Sequence, residues 1–409
     1  MSCTITRVEV EDRRFPLHDG AGSDAVHAVT EYAFAVTRLE TAGPDYGCGL
    51  TLTLGSGNEI VCQIIPLLAQ SLVGLEIEEL MNGFGAFTRQ LADHPELRWL
   101  GPHKGAVALA QASIVNACFD LWSKSRGMPL WRLLLDLQPS QVVDLLDLSY
   151  LEEALTRDDA LSILSTHHTT RAQRENVLAA GYPGYDTSVG WFQYGDSEVQ
   201  EKARRALDHG FRAFKLKVGS PDGERDIRRA TMLRNVVGDQ CLVMLDANQQ
   251  WNFPQARRMC ETLRPIDPYW IEEPTHPDDL LAHQVLAREI VPGRLALGEH
   301  LPNRVAFKNF IEAGAVHFVQ ADCTRLAGVS EFLTVSLLAR KFGLPVVPHV
   351  GDMGQIHRHL VLFNHIALGH DLLFLEYIPH LHEYFLYPAR VEGGIYRTPQ
   401  EPGSSQDLK

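Results

Sequence analysis

Between residues 185 and 378 eight short apolar, β-rich runs recur with helix-like segments between them: YDTSVGW, FRAFKLKVG, CLVMLDAN, YWIEEP, LALGEH, VHFVQAD, LPVVPHV and LLFLEYI. Strands alternating with helices over this length predict a parallel barrel in preference to a doubly wound sheet. Polar residues stand at the C-terminal ends of the runs, the catalytic face of such a barrel. The chain's 409 residues suffice for one barrel of ~250 residues and an accessory domain.

That accessory domain lies upstream. TRVEVEDRRFPL, EYAFAVTRLET and CGLTLTLGSG each alternate apolar and polar residues between Gly- or Pro-containing breaks, which predicts an antiparallel meander. The loop HDGAGSDAVHA joins the first two. From Gly105, GAVALAQASIVNACFDLWSKSRGMPLWRLL has helical periodicity, stopped at Gly127 and Pro129. The polar segment Thr156 to Asn176 reads as a helical hairpin. After residue 382 the rhythm ends, and the remaining residues are expected to return to the first domain and finish in a loose tail. The fold class is therefore α/β. A modified (β/α)8 (TIM-type) barrel occupies 151–382, with an N-terminal α+β capping domain at 1–150 completed by the C-terminal segment 383–409.

No run of ~18 apolar residues stands out, and the opening MSCTITRVEVEDRRF lacks the apolar core of a signal peptide, so a cytoplasmic enzyme is expected. The formal charge of −14 argues against nucleic acid and against anionic membranes as partners. It also means that an anionic substrate must be held by local cations. The seven cysteines are scattered, odd in number and without CxxC spacing, which reads as reduced thiols.

Four runs end in carboxylates: Asp246, Glu272 with Glu273, Glu299 and Asp322. Successive members Asp246, Glu272, Glu299 and Asp322 are separated by 26, 27 and 23 residues, about one strand–helix repeat each. A barrel gathers them at one mouth, where Asp246, Glu272 and Glu299 would repel one another unless neutralised. Oxygen-only ligation suits Mg²⁺. Alternation turns Glu273 away from Glu272, so it is read as a supporting group. Helix capping at the strand–helix turns is the plain alternative for any one acid taken alone.

Lys215 and Lys217 alternate with Phe214, Leu216 and Val218, so the barrel turns both lysines inward beside the acids. A lysine beside a dication and a second lysine is expected to have a lowered pKa, as a general base requires. His349 ends the seventh run, 27 residues after Asp322, which is placed to accept its ring N–H. A cation that chelates a substrate carboxylate acidifies the adjacent C–H through an enediolate. Bases on two faces then permit proton removal on one side and delivery on the other.

KLK, LDAN, WIEEP, GE, QAD and PH, in this order, resemble the enolase superfamily in its mandelate racemase group. Longer strings such as GSDAVH, LRWLGPHKG, GYPGYDTSVGWFQYGD, IEEPTHPDD and EYIPHLHEYF look most like L-fuconate dehydratases and fungal L-galactonate dehydratases. The resemblance implies Asp246, Glu272 and Glu299 as Mg²⁺ ligands and Lys217 as the base. Lys215 would partner it and meet the substrate carboxylate. His349 with Asp322 would form the opposite dyad, and Glu376 would assist at the enediolate. Ser23, Asp24, Trp191, Asn248, His300, Asn303 and Arg304 are candidate pocket residues. The activity implied is dehydration of a sugar acid, a small-molecule substrate, to a 2-keto-3-deoxy acid, with L-fuconate first. L-galactonate and L-lyxonate remain open, as does a racemase or epimerase on the same machinery. Barrels of this kind often pack symmetrically, so a homo-oligomer is expected. The sequence departs from the family at HVGDMGQIHRH after His349, at His300 and at Asp186. All three are expected near the mouth, with Asp352 and Gln355 beside the distal hydroxyls and the GSDAVH loop closing over them.

Overall fold

The computed structural model describes residues 3–28 and 31–409. Strands β1 (Ile5–Pro16), β2 (Glu31–Thr41) and β3 (Tyr46–Thr53) form an antiparallel meander in that spatial order. β2 is buried almost throughout, because both of its faces are covered. On one side lies the helix Gly105–Ser125, and on the other Phe34 meets Phe385 with ring centroids 6.0 Å apart. β3 touches that helix directly. A Cβ at Gly49 would overlap the Ser113 carbonyl oxygen and the Ala117 backbone, so only glycine permits the approach. By length and composition the same helix could cross a membrane, but 83 % of its apolar window is buried in this protein. It is the core helix of the capping unit.

Seven parallel strands follow: β4 (Tyr182–Asp186), β5 (Ala213–Lys217), β6 (Leu242–Asp246), β7 (Trp270–Glu272), β8 (Leu295–Leu297), β9 (Phe318–Val319) and β10 (Leu375–Tyr377). They pair in sequence from β4 to β9, and β10 returns to β4. Between β9 and β10 the ring is completed by an isolated parallel bridge from Val319 to Val346. LPVVPHV thus does not form a regular strand. Pro345 and Pro348 lack the N–H groups a ladder needs, and only Val346 pairs. The first run also begins earlier than expected. Its strand is Tyr182–Asp186, and Thr187 to Trp191 form the turn that follows.

Inward residues form two layers. The floor is apolar: Tyr185, Ala213, Met244, Trp270, Ala296, Phe318 and Val347 pack as one buried cluster. One step further along the strands come Lys215, Asp246, Glu272 and Glu376, all buried. Outward residues of the same strands, Phe214, Leu216, Val243 and Leu245, join the core between barrel and helices. The period of two has separated a chemical face from a packing face.

In place of a hairpin, Thr156 to Asn176 hold one helix, Arg157–His168, and a short turn; the Thr156 side chain caps the helix through the Asp159 N–H. The segment after residue 382 includes a hairpin of β11 (Val391–Glu392) and β12 (Ile395–Tyr396), and β12 adds antiparallel to β4. Beyond it the chain is packed and not loose. Ser404, Ser405, Gln406 and Asp407 are buried. The Ser404 N–H and hydroxyl donate to Asp120 Oδ1 at 2.6 and 2.8 Å, and Lys124 bridges Asp120 and Asp407. Asp120 is buried in the core helix, and a buried carboxylate needs such partners.

Candidate active site and metal centre

In-register pairing across β5, β6 and β7 sets Lys217 beside Asp246 and Asp246 beside Glu272. Glu299 follows β8, and ligand oxygens of Asp246, Glu272 and Glu299 all lie within 4.8 Å of one another. Lys217 is ion-paired to Asp246. Lys215 lies 2.9 Å from Glu272 Oε1, 2.7 Å from Glu376 Oε1 and 3.6 Å from Asp246 Oδ2. Four carboxylates against two ammonium groups leave a formal excess of two negative charges. Burial, with Asp246 next to it, pushes the Glu272 carboxyl up to about 8. Glu299 Oε2 is buried, with His349 Nε2 3.1 Å away. These three clustered acids therefore fit a hard divalent cation, which would supply the missing charge.

A second trio, Glu273, Glu299 and His300, is equally close. There Gln249 already donates to Glu273, and the His300 ring nitrogen lies 3.2 Å from both Glu273 and Glu299, so these carboxylates already have partners within the protein.

The lysines behave otherwise than expected. Burial alone would lower both, but Glu272 and Glu376 around Lys215, and Asp246 beside Lys217, drive each upward. The carboxylates outweigh the repulsion between the two ammonium groups.

From the seventh position of the ring His349 turns Nδ1 to Asp322 Oδ2 at 2.9 Å and Nε2 toward Glu299 Oε2 at 3.1 Å. The Thr324 N–H and hydroxyl hold the other Asp322 oxygen. Glu376 accepts from Lys215, from the Thr187 hydroxyl and from the Val350 N–H. Lys215 and the other cations, against the cost of burial, hold it down at about 2.

These groups open into a cavity of about 250 Å³ between barrel and capping sheet. Lys217, Glu299, His349 and Glu376 line it, with Asp24, Trp191, Asn248 and His300 from the expected pocket set. Trp191 stands over Lys217, 5.7 Å from ring centroid to Nζ, and donates its indole N–H to His380. Asp24 is held by His27.

Other expected pocket residues do not line this cavity. Ser23 is buried, bonded to the Gly20 carbonyl and the Gln193 N–H, and fastens the Gly22 to His27 loop to the turn carrying Trp191. Asn303 caps the helix Arg304–Glu312, and Arg304 is buried between Asp147 and Glu331. Asp352 spends its carboxylate on the Ile378 N–H and on His382, both at 2.7 Å, and Gln355 turns back to the Asp352 carbonyl. Asp352 ties the loop after His349 to the end of β10, so it cannot reach a substrate hydroxyl. Asp186 also faces away from the mouth, as the residue after inward Tyr185 must. It lines a separate depression of about 750 Å³ on the outer flank.

Sequence reasoning missed Tyr32, Gln249 and Arg325, which line the cavity, and Leu52 and Leu54 of its apolar wall; the other wall residues, Val26 and Met353, belong to the GSDAVH and HVGDMGQIHRH segments expected at the mouth. The alternation of EYAFAV assigns Tyr32 a side of β2, but nothing local says that this side meets the barrel mouth.

Comparison with known proteins agrees with this geometry. Residues 198–409 match the family described as "Enolase C-terminal domain-like". The chain is 40% identical to human mitochondrial enolase superfamily member 1 over 415 residues, covering 99% of this chain and 94% of that protein. The crystal structure of the human protein superposes with a TM-score of 0.97 over 100% of this chain and 95% of that one. L-galactonate dehydratase of Hypocrea jecorina is 39% identical over 99% of this chain and 92% of its own length. An L-talarate dehydratase from Polaromonas sp. JS666, solved with Mg and L-glucarate, is 26% identical, with a TM-score of 0.76, covering 100% of this chain and 96% of that one.

Proposed function

The chain belongs to the enolase superfamily, and from that membership we propose a Mg²⁺-dependent sugar-acid dehydratase acting on L-fuconate. The observation that carries this reading is the pair Lys217 and His349 facing one cavity from the second and seventh positions of the ring, with the acid trio between them. Asp246, Glu272 and Glu299 would hold Mg²⁺. When bound, the cation supplies the positive charge that makes the C–H beside a chelated carboxylate acidic. With the acids so engaged, the upward push they exert on Lys215 and Lys217 would be weakened.

Lys217 takes the C2 proton. Lys215, held among Glu272, Glu376 and Asp246, meets the negative charge building on the substrate carboxylate. His349 delivers a proton to the departing 3-hydroxyl, with Asp322 fixing its ring and favouring the charged form. Trp191 and the Gly22 to His27 loop cover the mouth and exclude water.

The choice of L-fuconate rests on the cavity wall. Val26, Leu52, Leu54 and Met353 suit a terminal methyl group better than a hydroxymethyl or carboxylate end. A relative named L-galactonate dehydratase makes the 6-hydroxy acid the competitor. Incubating the Mg²⁺-loaded protein with L-fuconate, L-galactonate and L-lyxonate and assaying 2-keto-3-deoxy product tests the reading. The highest kcat/KM is expected on L-fuconate. C2–H exchange with no loss of water on any of them would make the enzyme a racemase or epimerase. All seven cysteines are free, and the compartment we propose is the reducing cytoplasm.

A further inference from the structure

Burying a guanidinium is costly unless a counter-charge meets it. Arg358, in the first turn of the helix His357–Leu368, is 5 % exposed and has no ion pair among the described residues. Its Nε donates to the Gln355 carbonyl at 3.3 Å and its Nη2 to the Tyr387 carbonyl at 2.9 Å. Asp352 attracts it, but that carboxylate is already bonded to the Ile378 N–H and to His382. Burial outweighs Asp352 and pushes the guanidinium down to about 10. Arg358 lines a pocket of about 510 Å³ beside the C-terminal segment. Arg390 and Arg397, both exposed, line it too, with Glu392 and Glu401. Three arginines against two glutamates leave a formal excess of one positive charge, and Glu392 is engaged with Arg397 at 2.8 Å. Ser405 adds a donor. It is 2 % exposed and lines the same pocket. Behind it, burial holds the His359 ring well below its ordinary pKa, so the ring is neutral. The Trp131 N–H donates to His359 Nδ1 at 3.3 Å, which leaves the ring proton on Nε2, 3.1 Å from Ser405 Oγ. The serine oxygen accepts that proton and keeps its own to give.

We propose that this pocket binds a small oxyanion, a carboxylate or phosphate group, on the Arg358 guanidinium and the Ser405 hydroxyl, with Arg390 at its rim. The planar fork of an arginine matches such a group, and a buried, pre-positioned fork gives up little freedom on binding it. In a chain of formal charge −14 any attraction for an anion has to be built locally, as it is here. The site is separate from the catalytic cavity, since no residue lines both. It touches the same loop from behind: Arg358 holds the segment that follows His349 through the Gln355 carbonyl.

The probes are inorganic phosphate and acetate, each titrated by calorimetry into the Mg²⁺-loaded full chain at low ionic strength. Saturable binding of one anion per chain is expected, and the tighter of the two names the group the pocket is built for. Ser405→Ala and Arg390→Gln should each weaken that binding about 10-fold, with turnover of the sugar acid unchanged. Arg390 is exposed, so its variant keeps the fold and tests the site even where Ser405→Ala lowers the melting temperature. Affinity unchanged in both variants would place the anion elsewhere, at the metal centre for instance, and overturn the proposal. Failure of both anions to bind the wild-type protein would overturn it as well.

Discussion

Lys217 and His349 reach the cavity from different positions of the ring and carry different partners, so their contributions should separate. Lys217→Ala is expected to abolish exchange of the C2 hydrogen with solvent deuterium, measured by NMR. His349→Asn should stop product formation by orders of magnitude while some exchange persists. Wild-type dehydration in both variants would dismiss the acid–base assignment. Asp186 offers a pH test away from the chemistry. Burial pushes its carboxyl up to about 7 from an ordinary 3.8, against the Ser188 N–H and hydroxyl that favour the charged form. The folded protein thus keeps a proton that the unfolded chain releases. The stabilisation is present below the ordinary value and is lost as pH rises toward 7. Asp186→Asn should raise the melting temperature at about pH 8, with the gain fading toward about pH 5; an equal difference at both would remove Asp186 from the pH response. At this scale the acids were legible because each closes an apolar run at a regular interval. Tyr32 and Arg325 were not, because their meaning depends on which surface the capping unit turns to the barrel. Asp352 misled for the opposite reason. Its neighbours in sequence are near the mouth, but its carboxylate points at the next strand's end.

Strand alternation carried most of the architecture. Lys215 and Lys217 could be assigned inward because Phe214, Leu216 and Val218 leave no other face for them. The seventh run was overread as a strand, since its apolar content hid the effect of Pro345 and Pro348 on the ladder. The alternation of β2 correctly gave a strand but could not show that both faces are covered. Contact between β3 and the core helix was equally silent, because a glycine in a strand announces no partner. Its consequence is measurable. Gly49→Ala should cost about 1–3 kcal/mol or more, seen as a lower melting temperature, because the Ser113 and Ala117 backbone cannot move aside. A neutral substitution would show that the helix can slide.

The proposed metal centre is a property of the whole molecule, since Asp246, Glu272 and Glu299 stand at the ends of three separate strands. A cation binding only the folded state should raise the melting temperature, by about 2.7 kcal/mol of stability at ~100 times its Kd. EDTA should abolish turnover and Mg²⁺ restore it. Glu272→Gln should remove both the thermal gain and the activity; full turnover in metal-free buffer would contradict the assignment. One long connection has a further consequence. Asp120 in the core helix takes its partners from Ser404 and Lys124, and Lys124 also holds Asp407. Ser404 lies 284 residues further on. A ribosome adding ~5–20 residues per second releases the capping sheet and helix, with Lys124 and the Cys48 N–H already beside Asp120, tens of seconds before Ser404 and Asp407 exist. The first unit to emerge is therefore among the last to finish, and until then it offers chaperones and proteases an open seam along a buried carboxylate.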